Sequence, residues 1–80
     1  MSEAKRLAFL GQQLRDARKR RGLRLRHVAR ALGVSVPAVQ AYETGDAHIR
    51  ALRLVELADF LRFDLGRLAR RRQLRERRAA

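Results

Sequence analysis

The chain of 80 residues predicts an all-α fold, a compact five-helix domain, from three features of its sequence. Apolar side chains recur three and four positions apart in successive segments, which is the spacing that lines one face of an α-helix. A glycine or a capping residue punctuates the segments. The five helical stretches leave little room for strands, and a chain this short supports one hydrophobic core rather than two.

The first segment, residues about 6 to 20, places Leu7, Leu10, Leu14 and Ala17 on one face and basic residues on the other, with Gly22 ending it. Residues about 25 to 32 repeat the pattern with Leu25, Val28, Ala29 and Leu32, and Gly33 supplies the freedom for a sharp turn. Ser35 is a natural N-cap for a third helix over about 36 to 43. Pro37 is tolerated there because a first-turn residue has no intrahelical N–H bond to lose. A fourth stripe, Leu54, Leu57, Ala58 and Leu61, runs from about Arg50, and Asp64 introduces a short fifth helix carrying Leu65 and Leu68. The domain is therefore expected over residues 6–69, with an extension at 1–5 and an arginine-rich C-terminal extension or arm at 70–80.

Charge narrows the function. Twenty basic residues, 18 of them arginine, face eight acidic ones, a formal charge of +12. Residues 67–78 alone hold seven arginines and one glutamate, net +6, and leave +6 for the rest. Such a surface suits a polyanion, because binding it releases condensed counterions. Arginine interrupts every apolar stretch before it reaches the roughly 20 residues of a membrane span. There is no cysteine, and Met1 leads into SEAKR rather than an apolar signal segment, so a cytoplasmic location is expected. His27 and His48 stand without cysteine companions, so no metal site is expected. Neither a serine–histidine–carboxylate set nor a phosphate-binding glycine loop appears, so neither catalysis nor a cofactor is expected.

The second and third segments fit one specific unit. Counting Leu25 as position one, a helix-turn-helix needs apolar residues at positions four, eight, ten, fifteen and eighteen. It also needs a small residue at five, where the helices cross, and glycine at nine, where the turn is left-handed. The chain supplies Val28, Leu32, Val34, Val39, Tyr42, Ala29 and Gly33. The blander alternative is an ordinary helical hairpin in a bundle.

With those residues in place, the stretch from Leu10 to Leu68 resembles the phage-repressor, Cro-like (xenobiotic-response-element) helix-turn-helix family of transcription regulators. The segments that carry the likeness are LGQQLRDARKRRGL (10–23), VARALGVS (28–35), VQAYETG (39–45) and LVELADFL (54–61). The resemblance implies a lambda-repressor-like domain that binds double-stranded DNA as a homodimer, with its third helix in the major groove, and acts as a repressor in the nucleoid. It also implies that Arg18 meets Glu43, locking the third helix to the scaffold while the guanidinium still reaches a phosphate.

On the third helix, 3.6-residue spacing turns Val39 inward and points Val36, Pro37, Gln40 and Ala41 toward the groove. Only Gln40 offers a two-point contact, with adenine. The family often carries polar residues where Val36, Pro37 and Ala41 stand. Three readings are open: apolar contact with thymine methyls, recognition of DNA shape, or a helix released from base reading. Phosphate contacts are expected from Arg18, Arg24, Arg26, Ser35, Thr44, His48, Arg50 and Arg53. Phe60, Leu61, Phe63 and Leu65 are candidates for a dimer interface, or else simple core packing. Two other functional classes stand beside the regulator: a protein-interaction module on the same fold, and a sequence-indifferent nucleic-acid binder relying on the arm.

Overall fold

The computed structural model describes residues 2–66, and four helices run through them: α1 (Glu3–Arg20), α2 (Leu25–Leu32), α3 (Val36–Thr44) and α4 (Ala51–Leu61). No strand occurs among the described residues. The expected count of five is not met. Of the expected fifth helix only residues 65 and 66 are described, both helical, and Leu68 and the arm at 70–80 lie outside the described residues.

α1 starts at Glu3, earlier than the position near residue 6 expected from its apolar stripe. The stripe begins only at Leu7, but the cap lies before it: Ser2 Oγ accepts the Lys5 N–H at 3.2 Å, and Glu3 sits in the first turn, where the helix dipole favours a negative charge. Residues 2–5 thus belong to the helix and its cap rather than to an extension.

All four helices end alike. An amide two or three residues past the helix end reaches back to a carbonyl five residues earlier, from Leu23 to Arg18, Val34 to Ala29, Asp46 to Ala41 and Phe63 to Ala58, at 2.7–3.1 Å. The closure satisfies carbonyls that would otherwise lose their partners, and it requires a left-handed residue just before the donor. Glycine fills that place three times. Arg62 fills it after α4, at φ 54°, against the steric preference of a side chain.

Leu14, Val28, Leu32, Val39, Leu57 and Leu61 are the larger side chains of the buried core, with Ala17 and Ala29 filling the gaps between them. Removing each large side chain from water is worth roughly 1.5–3 kcal/mol. Leu10, Leu23, Val34, Leu54 and Phe63 pack around this centre, half-buried. Leu61 is 3% exposed, so it is a core residue and not an interface residue. It falls on the same stripe as Leu57 and Ala58, which face α1 and α2.

The most extensive contact between helices joins α1 to α3, and two glycines make it possible. A Cβ on Gly11 would collide with the backbone carbonyls of Tyr42 and Glu43. One on Gly45 would lie 2.6 Å from the Ala8 nitrogen. Backbone therefore meets backbone at the end of α3, and neither neighbour can yield by rotating a side chain.

Gly11→Ala is expected to lower stability by about 1–3 kcal/mol, the cost of overpacking a close-packed contact, read as a shift of the urea midpoint at constant slope. Arg62→Gly should act in the opposite direction, by about 1 kcal/mol, because it removes a left-handed side chain.

Candidate nucleic-acid interface

α3 is short, and its own sequence accounts for its boundaries. Ser35 Oγ accepts the Ala38 N–H at 3.2 Å, Pro37 occupies the first turn, and Gly45 closes the far end. Val39 is 1% exposed and anchors the helix to the core. Val36, Pro37 and Gln40 lie on the exposed side, while Ala41 is half-buried. The projecting surface is thus Val36, Pro37 and Gln40, with Ala41 at its edge.

The tie between α1 and α3 is an ion pair. Arg18 Nε donates to Glu43 Oε2 at 2.7 Å and Nη2 to Oε1 at 3.1 Å, while Nη1 donates to the Leu23 carbonyl at 2.9 Å. The side chains are 11% and 8% exposed. The two-point fork fixes α3 in rotation as well as distance, and the third bond fastens the loop before α2 to the same group. One N–H on each guanidinium nitrogen is engaged in this way, so Arg18 positions α3, and the second N–H groups on Nη1 and Nη2 are the only donors left for any further contact.

Beside this pair lies a cleft of about 160 Å³ lined by Arg15, Arg18, Leu25, Gln40, Glu43 and Thr44. Arg15 is exposed at this cleft, between α1 and the outer side of α3. Sequence reasoning counted it only in the basic face of the first helix; three residues before Arg18, it shares nearly the same helical face, and that signal was available.

The remaining expected cations divide into two groups. Arg24 and Arg26 are exposed at the N-terminal turn of α2, where free N–H groups and the dipole favour an anion. The backbone N–H of Arg24 itself donates to His27 Nδ1 at 3.0 Å, which caps the helix and leaves the arginine side chain outside. The Ser35 hydroxyl, an acceptor in its cap, keeps its own proton to give.

Others are engaged elsewhere. Arg53 Nη1 donates to the Leu32 carbonyl, where α2 ends, and lies 3.5 Å from Glu56. The Thr44 hydroxyl is 2.9 Å from Asp46 Oδ2 and 3.2 Å from the Ala41 carbonyl, so its single proton is held within the loop. His48 Nε2 stands 3.7 Å from Glu3 Oε1, an exposed pair of little energetic weight. Arg50 precedes α4 as its cap residue and is exposed. Around α3 and the start of α2 the exposed groups are thus Arg15, Arg24, Arg26, Ser35 and Gln40, while Arg18 and Arg53 have donors engaged within the fold.

Phe60 is 37% exposed, Phe63 packs against the core, and Leu65 is half-buried. No group of three metal-binding side chains and no helix long and apolar enough to cross a membrane occurs among the described residues.

α2, the left-handed turn at Gly33 and the projecting α3 together form a helix-turn-helix. Residues 10–71 match the model of the helix-turn-helix domain family. The chain belongs to that family, and the domain marks a DNA-binding regulator. No curated protein and no solved structure matches it.

Arg18→Ala is expected to cost about 3–5 kcal/mol, since it strands the Glu43 carboxylate in the interior. Replacing both partners together, Arg18→Met with Glu43→Leu, should cost clearly less than the single change. Denaturant melts of the three proteins decide the matter, and equal losses would refute the pairing argument.

Proposed function

We propose that the protein is a Cro-like, DNA-binding transcription regulator, a repressor that acts as a homodimer in the nucleoid and lays α3 in the major groove of its operator. The observation that carries this reading is the orientation of α3. Its apolar anchor Val39 is sealed in the core, its rotation is fixed by Arg18 and Glu43, and Val36, Pro37 and Gln40 are turned outward.

The apolar character of the exposed turn suits thymine. Val36, 38% exposed, and the edge of Ala41 can meet the C5 methyl group, while Gln40 pairs with the N6 and N7 positions of an adenine. Small apolar groups also bring no negative charge to the groove. Phosphates are gripped around this turn by Arg15 at the cleft and by Arg24 and Arg26 at the start of α2, with the Ser35 hydroxyl and the helix N–H groups between them. Repression follows from occupancy: a bound dimer on an inverted repeat denies the promoter to polymerase, with half-sites about one helical turn, ~34 Å, apart.

Selection from a random duplex library should enrich an inverted repeat rich in A·T steps; a pool with no enrichment would overturn sequence-directed binding. Gln40→Ala should relax preference at one base position by about 1–3 kcal/mol, measured on single-base variants of the selected site. With roughly six phosphates contacted per monomer, log Kd should change with log salt at a slope of about 5 in magnitude between 50 and 200 mM. A flat response in fluorescence anisotropy would instead indicate a protein-binding module.

A further inference from the structure

The charge surplus of the described residues sits in one stretch of the chain. Residues 15–30 hold eight basic side chains and one acidic, whereas the other described residues hold five basic and six acidic. All of the eight but Arg18 are exposed, and among the described residues none of those exposed cations has an opposite charge within 4 Å. A surplus that came only from an arginine-rich composition would be spread over the surface. This one is local.

Four of these cations form two rows. Arg15 and Lys19 stand four apart on α1, and Arg26 and Arg30 four apart on α2, so each pair shares a helix face with ~6 Å of rise between its members. Like charges at that spacing destabilise a helix, and α2 has no acid at all to relieve its row. Both rows begin beside α3. Arg15 and Leu25 line the cleft that Gln40 and Thr44 border from the side of α3, and Arg26 directly follows Leu25. Lys19 and Arg30 stand one helical turn farther along their helices.

We propose that the two rows form a track for duplex DNA that continues from the recognition surface and grips phosphates beyond the base pairs that α3 meets, whatever their sequence. A duplex laid against α3 does not bend away from the rows, because its persistence length of about 150 bp far exceeds a domain of this size. Each phosphate neutralised releases counterions, which offsets the repulsion within the rows. The track rests on the DNA-binding reading above and adds to it the outlying Lys19 and Arg30.

The composition of the stretch selects this occupant. Residues 15–30 contain no Phe, Tyr or Trp on which the bases of a single strand could stack. Their exposed members include no large apolar side chain to enter a membrane surface.

Fluorescence anisotropy of the full chain on mixed-sequence duplexes tests the track, since mixed sequence makes the outcome independent of whether α3 reads bases. On a duplex of about 40 bp, Lys19→Gln with Arg30→Gln should lower the magnitude of the slope of log Kd against log salt by about 2 and weaken binding about tenfold at about 0.1 M salt. Lys5→Gln with Arg6→Gln removes the same charge from the start of α1 and should change that slope by less than about 1. On a duplex of about 15 bp, which spans two α3 contacts centred about 10 bp apart and little more, the Lys19 and Arg30 double variant should lose less than about threefold. Its helices are relieved of like-charge pairs, so it should melt no lower than wild type, as circular dichroism verifies. An unchanged slope, the same loss on both duplexes, or an equal loss from the Lys5 and Arg6 variant overturns the track; tighter binding to a single strand of the same length overturns the duplex as its occupant. A wild type that binds neither duplex overturns the DNA-binding reading as well, whereas any of the other failures in a chain that binds DNA overturns the track alone.

Discussion

The close crossing of α1 and α3 is the constraint on which the rest of the structure depends. α3 has nine residues, too few to hold a helical shape or a direction on its own. Its direction is imposed by Gly11 and Gly45, which let backbones touch, and by the Arg18–Glu43 fork further along α1. A buried ion pair adds little net stability over well-packed apolar groups, because desolvation offsets the Coulomb gain. Its value here is geometric. Two parallel hydrogen bonds admit one rotation of α3, and that rotation decides which side chains project.

The same arrangement separates the orienting of α3 from the display of charge around it. Arg18 spends three of its five N–H donors within the fold, on Glu43 and the Leu23 carbonyl. The exposed cations around it, Arg15 and Arg24, can then vary in conformation without disturbing the helix they flank. The support beneath α3 is thus buried and fixed, while the charge around it stands at the exposed surface.

Much of this was legible in the sequence, and the limits have physical causes. The α2–turn–α3 unit could be read because each constraint falls on a residue type: a small side chain at Ala29, a left-handed glycine at Gly33, apolar anchors at Val28 and Val39. Leu61 could not be placed, since periodicity says which way a side chain points but not whether another helix covers it. Nor could the start of α1, because its apolar stripe begins only at Leu7 while the cap at Ser2 precedes it. Gly11 read as an ordinary helix residue. Its necessity lies in the backbone of α3, more than thirty residues away in the chain.

The bond from Arg53 to the Leu32 carbonyl has one more consequence. It spans from the outermost helix to the last turn of α2, directly ahead of Gly33, where the chain swings toward α3. A guanidinium in that place works as a strut. The first turn of α4 is thereby joined to the bend that aims α3, and the two cannot shift apart without breaking that bond.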